Sequence, residues 1–150
     1  MTTIRSEFLF HLHVLVEPMP IGLCPAGLRI TYVARTGRFE GPQLSGRLLA
    51  AGDWVVIDRE GVAAIDVRAT LQTDEGELIH MAHTGILVAP PDLMDRLGGG
   101  DTVSADEMYF RTTHRFETAS PRLGWLNTTL AIGTNALAAG AVDYDLHRIL

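Results

Sequence analysis

The segment from Tyr109 to Thr118 concentrates side chains that could perform acid–base chemistry. It places two arginines, a histidine, a tyrosine and a glutamate among strand-forming residues. Arg111 could hold a substrate carboxylate or a developing enolate, and Tyr109 could donate a proton. His114 or Glu117 could serve as the base. The residue types therefore predict a proton-transfer site on one strand.

The same segment alternates between two faces, which is typical of a β-strand. The more apolar face consists of Met108, Phe110, Thr112, His114 and Phe116. Because this is the natural core face, Tyr109, Arg111 and Glu117 point outward unless the fold has the mixed interior of a ligand-binding barrel. His114 is the exception on the apolar face. Burial would keep it neutral, either as a general base or as a core histidine with one backbone hydrogen bond.

Asp66, Arg68 and Thr70 share one face of a second strand, opposite a wholly apolar face. A fully polar face normally meets solvent. The alternative is a polar wall of a cavity, with Asp66 and Arg68 keeping each other charged.

Trp54 and Trp125 are the only tryptophans, and each lies near a polar residue, Asp53 and Asn127 respectively. The two indoles could form walls for a flat ligand, with Asn127 as an orienting donor. Packing under a turn is the equal alternative.

Two histidine pairs need a structural explanation. His11 and His13 lie on one face of a strand, a spacing that some metal sites use, but zinc or iron would need a third ligand. If the phenylalanine-rich face of that strand fills the core, both histidines point outward. His80 and His83 are three residues apart and therefore lie on opposite faces of their strand. We expect no metal.

The sequence pattern predicts that these residues are carried by many short strands, which are joined by tight turns and do not alternate with helices. The strand-like runs cover residues 7–16, 28–35, 38–50, 53–58, 62–73, 77–87, 107–118, 125–134 and 139–149. This pattern predicts an all-β fold, a closed antiparallel barrel of about 8–10 strands. One short helix is expected at Pro90–Leu97, between a proline start and a glycine end. It lies in the connection 88–106 and is either a lid over the barrel mouth or a plain surface crossover.

Composition limits the functional classes. A chain of 150 residues with 47% hydrophobic residues predicts one domain, residues 1–150. The net charge of −6 argues against nucleic-acid binding. A single cysteine, Cys24, cannot form an internal disulfide, and no signal-like or membrane-spanning apolar run occurs, so we expect a cytoplasmic protein without a membrane partner.

Several motifs resemble one family. They are Tyr109-Phe110-Arg111-Thr112, Arg115-Phe116-Glu117-Thr118, Trp125-Leu126-Asn127, Gly52-Asp53-Trp54 and Asp66-x-Arg68. Their order is similar to that of the domain of unknown function 3237 family, also called uncharacterised protein family 0311. The resemblance implies a lipocalin-like antiparallel β-barrel, commonly a homo-oligomer such as a dimer or tetramer, without a cofactor.

The family's recurrent polar and aromatic residues can be carried over by position. They fall on Arg29, Glu40, Asp53, Trp54, Asp66, Arg68, Tyr109, Arg111, Glu117, Trp125 and Asn127. A set dispersed over several strands is what a barrel interior or mouth would gather, so the resemblance favours a common cavity. His114 departs from the family, which usually has proline there.

We therefore expect a small-molecule-binding barrel that acts on a carbonyl-bearing or aromatic metabolite as a cofactor-independent lyase, hydratase, isomerase or cyclase. The predicted catalytic residues are Tyr109, Arg111, His114, Glu117 and Asp66. The predicted substrate-binding residues are Trp54, Arg68, Trp125, Asn127 and Arg29. A non-catalytic carrier and a structural oligomeric barrel are the alternatives.

Overall fold

The computed structural model describes residues 1–150, which form a closed barrel of eight antiparallel strands. Each strand pairs with the next along the chain, and the last pairs with the first. The strands are β1 (Ser6–Cys24), β2 (Gly27–Glu40), β3 (Ser45–Ile57), β4 (Val62–Thr73), β5 (Leu78–Val88), β6 (Tyr109–Glu117), β7 (Leu130–Ala138) and β8 (Ala141–Ile149). The all-β barrel and its single short α-helix are confirmed.

Two predicted turns lie inside strands. Residues around Gly37 and Gly52 continue β2 and β3, whereas the turn between these strands follows Glu40. A Cβ on Gly37 would lie 2.8 Å from the His13 carbonyl oxygen, so this glycine allows close approach of β1 rather than a reversal of the chain. The first part of the run predicted as strand at 125–134 instead belongs to a 3₁₀-helix, Gly124–Thr128, that precedes β7.

One end of the barrel is closed by aromatic packing. Phe10, Phe39 and Phe116 are buried inside it, with ring centroids 5.2 Å apart for Phe10 and Phe39 and 6.2 Å apart for Phe10 and Phe116. Leu123 and Leu126, from the connection that contains the 3₁₀-helix, are also fully buried. This end of the barrel is therefore filled by buried side chains.

The opposite end is covered by helix α1 (Leu93–Gly98). Leu93 is buried, and Leu97 packs against the core cluster. Together with Pro90 and Pro91, both residues line the space inside the barrel. The segment therefore lies over the mouth, as the lid interpretation predicted. No helix of the chain is long and apolar enough to cross a membrane.

Candidate functional site

A cavity of about 600 Å³ occupies the barrel between the aromatic end and helix α1. Its volume lies in the range of sites that bind small molecules. Most of the wall is aliphatic, with residues such as Val14, Ile30, Val55, Ile65 and Val67. Four polar side chains join this wall and can engage a ligand: Tyr32, Asp53, His83 and Tyr144.

Strand register explains how three of these polar residues come together. Tyr32 on β2 is opposite Asp53 on β3, and Asp53 is opposite Val67 on β4. Val67 is in turn opposite His83 on β5. Because directly paired residues point to the same side of a sheet, these side chains form one transverse row inside the barrel. Tyr144 enters from β8, with its ring centroid 5.2 Å from that of His83.

Asp53 is the only carboxylic acid in the cavity wall. Burial is the main reason that the pKa of its carboxyl group is raised from 3.8 to about 6. The hydrogen bond from the Asp66 backbone lowers this pKa, and the nearby Asp66 charge raises it. Its Oδ1 accepts the backbone N–H of Asp66 at 3.0 Å. A carboxyl group with this pKa exchanges a proton readily near neutral pH, as a general acid or base must.

The two tyrosines supply neutral hydroxyl groups. Burial raises the pKa of both Tyr32 and Tyr144, and the Asp53 charge adds to the effect. Both therefore remain protonated at physiological pH and can donate a hydrogen bond. A phenolic donor near a carboxyl group can stabilise negative charge that develops on a ligand oxygen.

A pair of histidines lies beside the tyrosine on β8. His83 and His114 are opposite each other on β5 and β6, with ring centroids 4.2 Å apart and ring planes at 34°. Burial, aided by the Arg68 charge, lowers the pKa of His83 to about 3. Burial and then His83 lower the pKa of His114 well below its usual value. Both imidazoles are therefore neutral at physiological pH.

His114 is the only predicted catalytic residue that points inward. It is fully buried behind His83, and its Nε2 lies 2.7 Å from the Thr112 hydroxyl oxygen. It does not itself line the cavity.

The predicted cavity residues of β6 lie outside the barrel. Tyr109 is 55% exposed, and the Arg111 guanidinium lies 5.3 Å from the centre of its ring. Arg111 donates to the backbone carbonyls of Phe110 and Ala105. Since odd positions of β6 face outward, neither side chain reaches the cavity.

The second predicted polar group also faces outward. Asp66 and Arg68 form an ion pair on the outer face of β4, each about half exposed. Trp54 is 44% exposed, and Arg29 donates to its carbonyl oxygen at 3.5 Å. These four side chains stand apart from the cavity wall.

Trp125, Asn127 and Glu117 lie near the closed end. The Asn127 amide holds the end of β6, because it accepts the Thr118 N–H at 2.8 Å and donates to the Thr118 carbonyl at 3.1 Å. Trp125 packs against the core with the Arg148 guanidinium 5.4 Å from its ring. Glu117 and Asn127 border a shallow outer groove instead of the main cavity. The expected shared cavity of Tyr109, Arg111, Trp125 and Asn127 is therefore not formed.

The structure thus identifies four cavity residues that are absent from the predicted catalytic and substrate-binding sets: Tyr32, Asp53, His83 and Tyr144. Of these, only Asp53 was among the residues that the family resemblance carried over to a common cavity. The alternation pattern of the sequence could have identified three of them. Asp53, His83 and Tyr144 each share strand parity with buried apolar neighbours, such as Val55 for Asp53 and Met81 for His83. A polar residue on an otherwise apolar face is an informative exception.

Two surface histidines of β1 lie against aspartates of β8. His11 contacts Asp145 through Nδ1 at 2.7 Å and Asp143 through Nε2 at 3.0 Å, and His13 contacts Asp143 at 2.8 Å. Burial lowers the pKa of His11, but the hydrogen bonds and charges of the two aspartates outweigh it, so the pKa is raised overall. Both histidines point outward from β1, as the strand pattern predicted.

Comparisons with known proteins agree with this architecture. Residues 4–149 match the family described as "Protein of unknown function (DUF3237)". The crystal structure of a conserved protein of unknown function from Rhodopseudomonas palustris is 27% identical, covers 100% of both chains and has a TM-score of 0.91. A β-barrel-like protein from Acinetobacter baumannii is 32% identical over 100% of this chain and 98% of that chain, with a TM-score of 0.81. An enzyme from Penicillium herquei has the same fold, at 19% identity, 100% and 97% coverage and a TM-score of 0.74. The chain therefore belongs to the DUF3237 family.

Proposed function

We propose that this barrel is a cofactor-independent enzyme that moves a proton within a carbonyl-bearing or aromatic small molecule, as a lyase, hydratase, isomerase or cyclase does. The observation that carries the proposal is Asp53, a carboxyl group with a pKa of about 6 in the wall of an apolar cavity. Burying such a group costs stability, and active sites are where that cost is commonly found.

Asp53 acts first as the base. Its carboxylate takes a proton from a carbon next to a carbonyl or from a ligand hydroxyl group. In the first case the electron pair of the broken C–H bond forms a C=C bond, and the carbonyl π pair moves onto the oxygen to give an enolate. In the second case the hydroxyl oxygen bonds to the β-carbon of an enone, whose π pairs shift to leave the negative charge on the carbonyl oxygen. The hydroxyl group of Tyr32 or Tyr144 donates a hydrogen bond to the oxygen that becomes negative. Protonated Asp53 then returns the proton to another atom of the ligand. The reaction is redox-neutral, and it needs no co-reactant except in the hydratase case, where water is added or released.

This mechanism replaces the roles expected for Arg111 and Arg68. Neither guanidinium lines the cavity, so stabilisation of the oxyanion passes to neutral hydroxyl donors. A neutral donor suits an apolar cavity, because a buried guanidinium without a partner carries a large desolvation cost.

The enzyme named among the structural neighbours supports only the compatibility of this fold with catalysis, since its sequence identity is 19%. A non-catalytic carrier is the second candidate. The predominantly aliphatic wall favours it, because such a surface binds apolar molecules without any reaction.

The test compares Asp53→Asn with wild type and with a matched control, Asp66→Asn. Asparagine keeps the Oδ1 acceptor but cannot take a proton, and Asp66 is an aspartate on the outer face of the adjacent strand. A panel of hydroxylated aromatic ketones and enones is followed by ultraviolet absorbance, and binding is measured by calorimetry. We expect Asp53→Asn to retain binding and to lower turnover by about 10²-fold or more. Asp66→Asn keeps the backbone N–H that bonds Asp53 and removes only the smallest contribution to the Asp53 pKa, so its turnover should stay close to wild type.

Two results decide against catalysis by Asp53. Binding of panel compounds without turnover by the wild type would favour the carrier. Turnover that survives Asp53→Asn unchanged would assign the proton transfer to another group.

A further inference from the structure

We infer that the inner wall of the cavity is a recognition subsite for an uncharged hydroxyl group, with His83 as the residue that binds it. This inference rests on the proposed binding of a small molecule in the cavity. It goes further by assigning the polar group of that molecule to a particular side chain, which is distinct from the proposed base Asp53.

The first observation is an imidazole without partners. His83 is 3% exposed and lines the cavity, yet neither Nδ1 nor Nε2 has a hydrogen-bond partner. Buried polar groups in proteins are nearly always hydrogen-bonded, and each unsatisfied one costs free energy. A ligand that supplies the missing partner therefore recovers that cost.

The second observation is a polar chain that ends without a partner behind His83. The Asn135 amide donates to the Thr112 hydroxyl oxygen at 3.1 Å, and that hydroxyl lies 2.7 Å from His114 Nε2. The Thr112 hydroxyl can either donate its hydrogen to Nε2 or accept from it, and with either tautomer His114 Nδ1 has no partner. Nothing in this chain of contacts satisfies His83.

Charge decides which polar group fits. No arginine lines the cavity, and the sequence contains no lysine, so a ligand anion would find no counter-charge. The one carboxylic acid in the wall, Asp53, would repel an anion when it is ionised. A ligand cation would have Asp53 as its partner instead of His83. A hydroxyl group can donate to the bare nitrogen of a neutral imidazole or accept from its N–H group, so it can bond His83 in either tautomer.

The experiment uses three probes of similar shape: 2-naphthol, naphthalene and 2-naphthoate. Affinities for the full chain are measured by competition against one bound fluorescent probe. We expect 2-naphthol to bind about 10-fold more tightly than naphthalene, the discrimination that one buried hydrogen bond provides. We expect 2-naphthoate to bind more weakly than either.

The variant His83→Phe keeps a planar ring and removes both nitrogens. It should abolish the preference for 2-naphthol while keeping or improving the affinity for naphthalene. The matched control is His80→Phe on the exposed face of the same strand, which should behave as wild type. Retained discrimination in His83→Phe would assign the hydroxyl to another group, such as Asp53, and would overturn the inference.

A second measurement does not depend on a variant that folds. In wild-type protein labelled with ¹⁵N-histidine, 2-naphthol should shift the ring nitrogens of His83, whereas naphthalene should leave their protonation pattern unchanged. Equal affinity for the two probes, or no His83 response to 2-naphthol, would refute the subsite. These probes undergo no reaction, so the experiment tests the His83 subsite separately from catalysis by Asp53. If none of the probes binds, both the subsite and the proposed ligand-binding function are overturned.

Discussion

The Asp53→Asn substitution should change how the stability of the protein depends on pH. Burial raises the pKa of this carboxyl group from 3.8 to about 6. Below the lower value the carboxyl is protonated in both the folded and the unfolded chain, so it imposes no penalty. As the pH rises through this interval the unfolded chain loses its proton first, and the folded state becomes less stable relative to it.

The magnitude follows from the size of the interval. Each unit of difference between the folded and unfolded pKa of Asp53 corresponds to about 1.4 kcal/mol. The difference therefore lowers the free energy of unfolding by about 3 kcal/mol, and this loss is complete above pH ~7. Because the unfolded carboxyl is already partly ionised at pH 4, the change between pH 4 and 7.5 is about 2–3 kcal/mol. Asparagine does not titrate, so the variant should gain this amount relative to wild type over that range. Its absolute stability also includes the fit of the new amide, and for this reason the pH dependence is the diagnostic quantity.

Urea unfolding followed by tryptophan fluorescence and circular dichroism at both pH values measures this difference. Asp66→Asn is the matched control, because Asp66 is about half exposed and paired with Arg68 on the outer surface. Its free energy of unfolding should stay within about 1 kcal/mol of wild type at both pH values. Parallel stability curves for Asp53→Asn and wild type would refute the assignment of a raised pKa to Asp53, and with it the basis for its role as a base.

Three further predictions test other parts of the structure. Burial lowers the pKa of His83 to about 3, so the contribution of this side chain to folding stability is fully present above pH 6.5 and is lost as the pH falls. Between pH 6.5 and 4.5 the free energy of unfolding in urea should therefore fall by about 2–3 kcal/mol more for wild type than for His83→Phe. Equal losses in the two proteins would contradict this. Phe10→Ala should lower the free energy of unfolding by about 3–5 kcal/mol, because Phe10 is fully buried against two other phenylalanines; the exposed Phe8→Ala is the control, and similar small losses in both would argue against an aromatic core at that end. The homo-oligomer stays a prediction. Residues 17–24 of β1 pair only with β2 and leave an open strand edge that a second copy could pair with. Sedimentation velocity should therefore give a mass above the 16.3 kDa of one chain, and a purely monomeric species would exclude the oligomer.

The alternation of apolar and polar residues predicted the barrel and most of its inner faces. In β6 it placed Phe110, His114 and Phe116 inside and Tyr109 and Arg111 outside, and the structure agrees. This works because a half-buried strand imposes a strict period of two. Glycine was less informative: Gly37 serves close packing against β1, and a local pattern cannot separate that use from a turn.

The site was harder to predict for two physical reasons. The recurrent polar residues of the family suggested a shared interior, but several of them stabilise the outer surface, as Asn127 does for the end of β6. The residues that do meet in the cavity come from β2, β3, β5 and β8. Their proximity depends on strand register and on closure of the sheet, which residue types alone do not specify.

Asp53 and His83 lower the stability of the ligand-free protein at opposite ends of the pH range. At neutral pH the ionised Asp53 is poorly solvated, whereas at acidic pH the unfolded chain gains from protonating His83 while the folded chain does not. Neither residue is needed to close the barrel, since the aromatic end and helix α1 supply apolar packing at both ends. Apolar side chains at both positions would remove these costs. At neutral pH, a ligand that donates a hydrogen bond to Asp53 and presents a hydroxyl group to the unpartnered His83 would satisfy both side chains, so the same features that weaken the empty barrel would stabilise its complex.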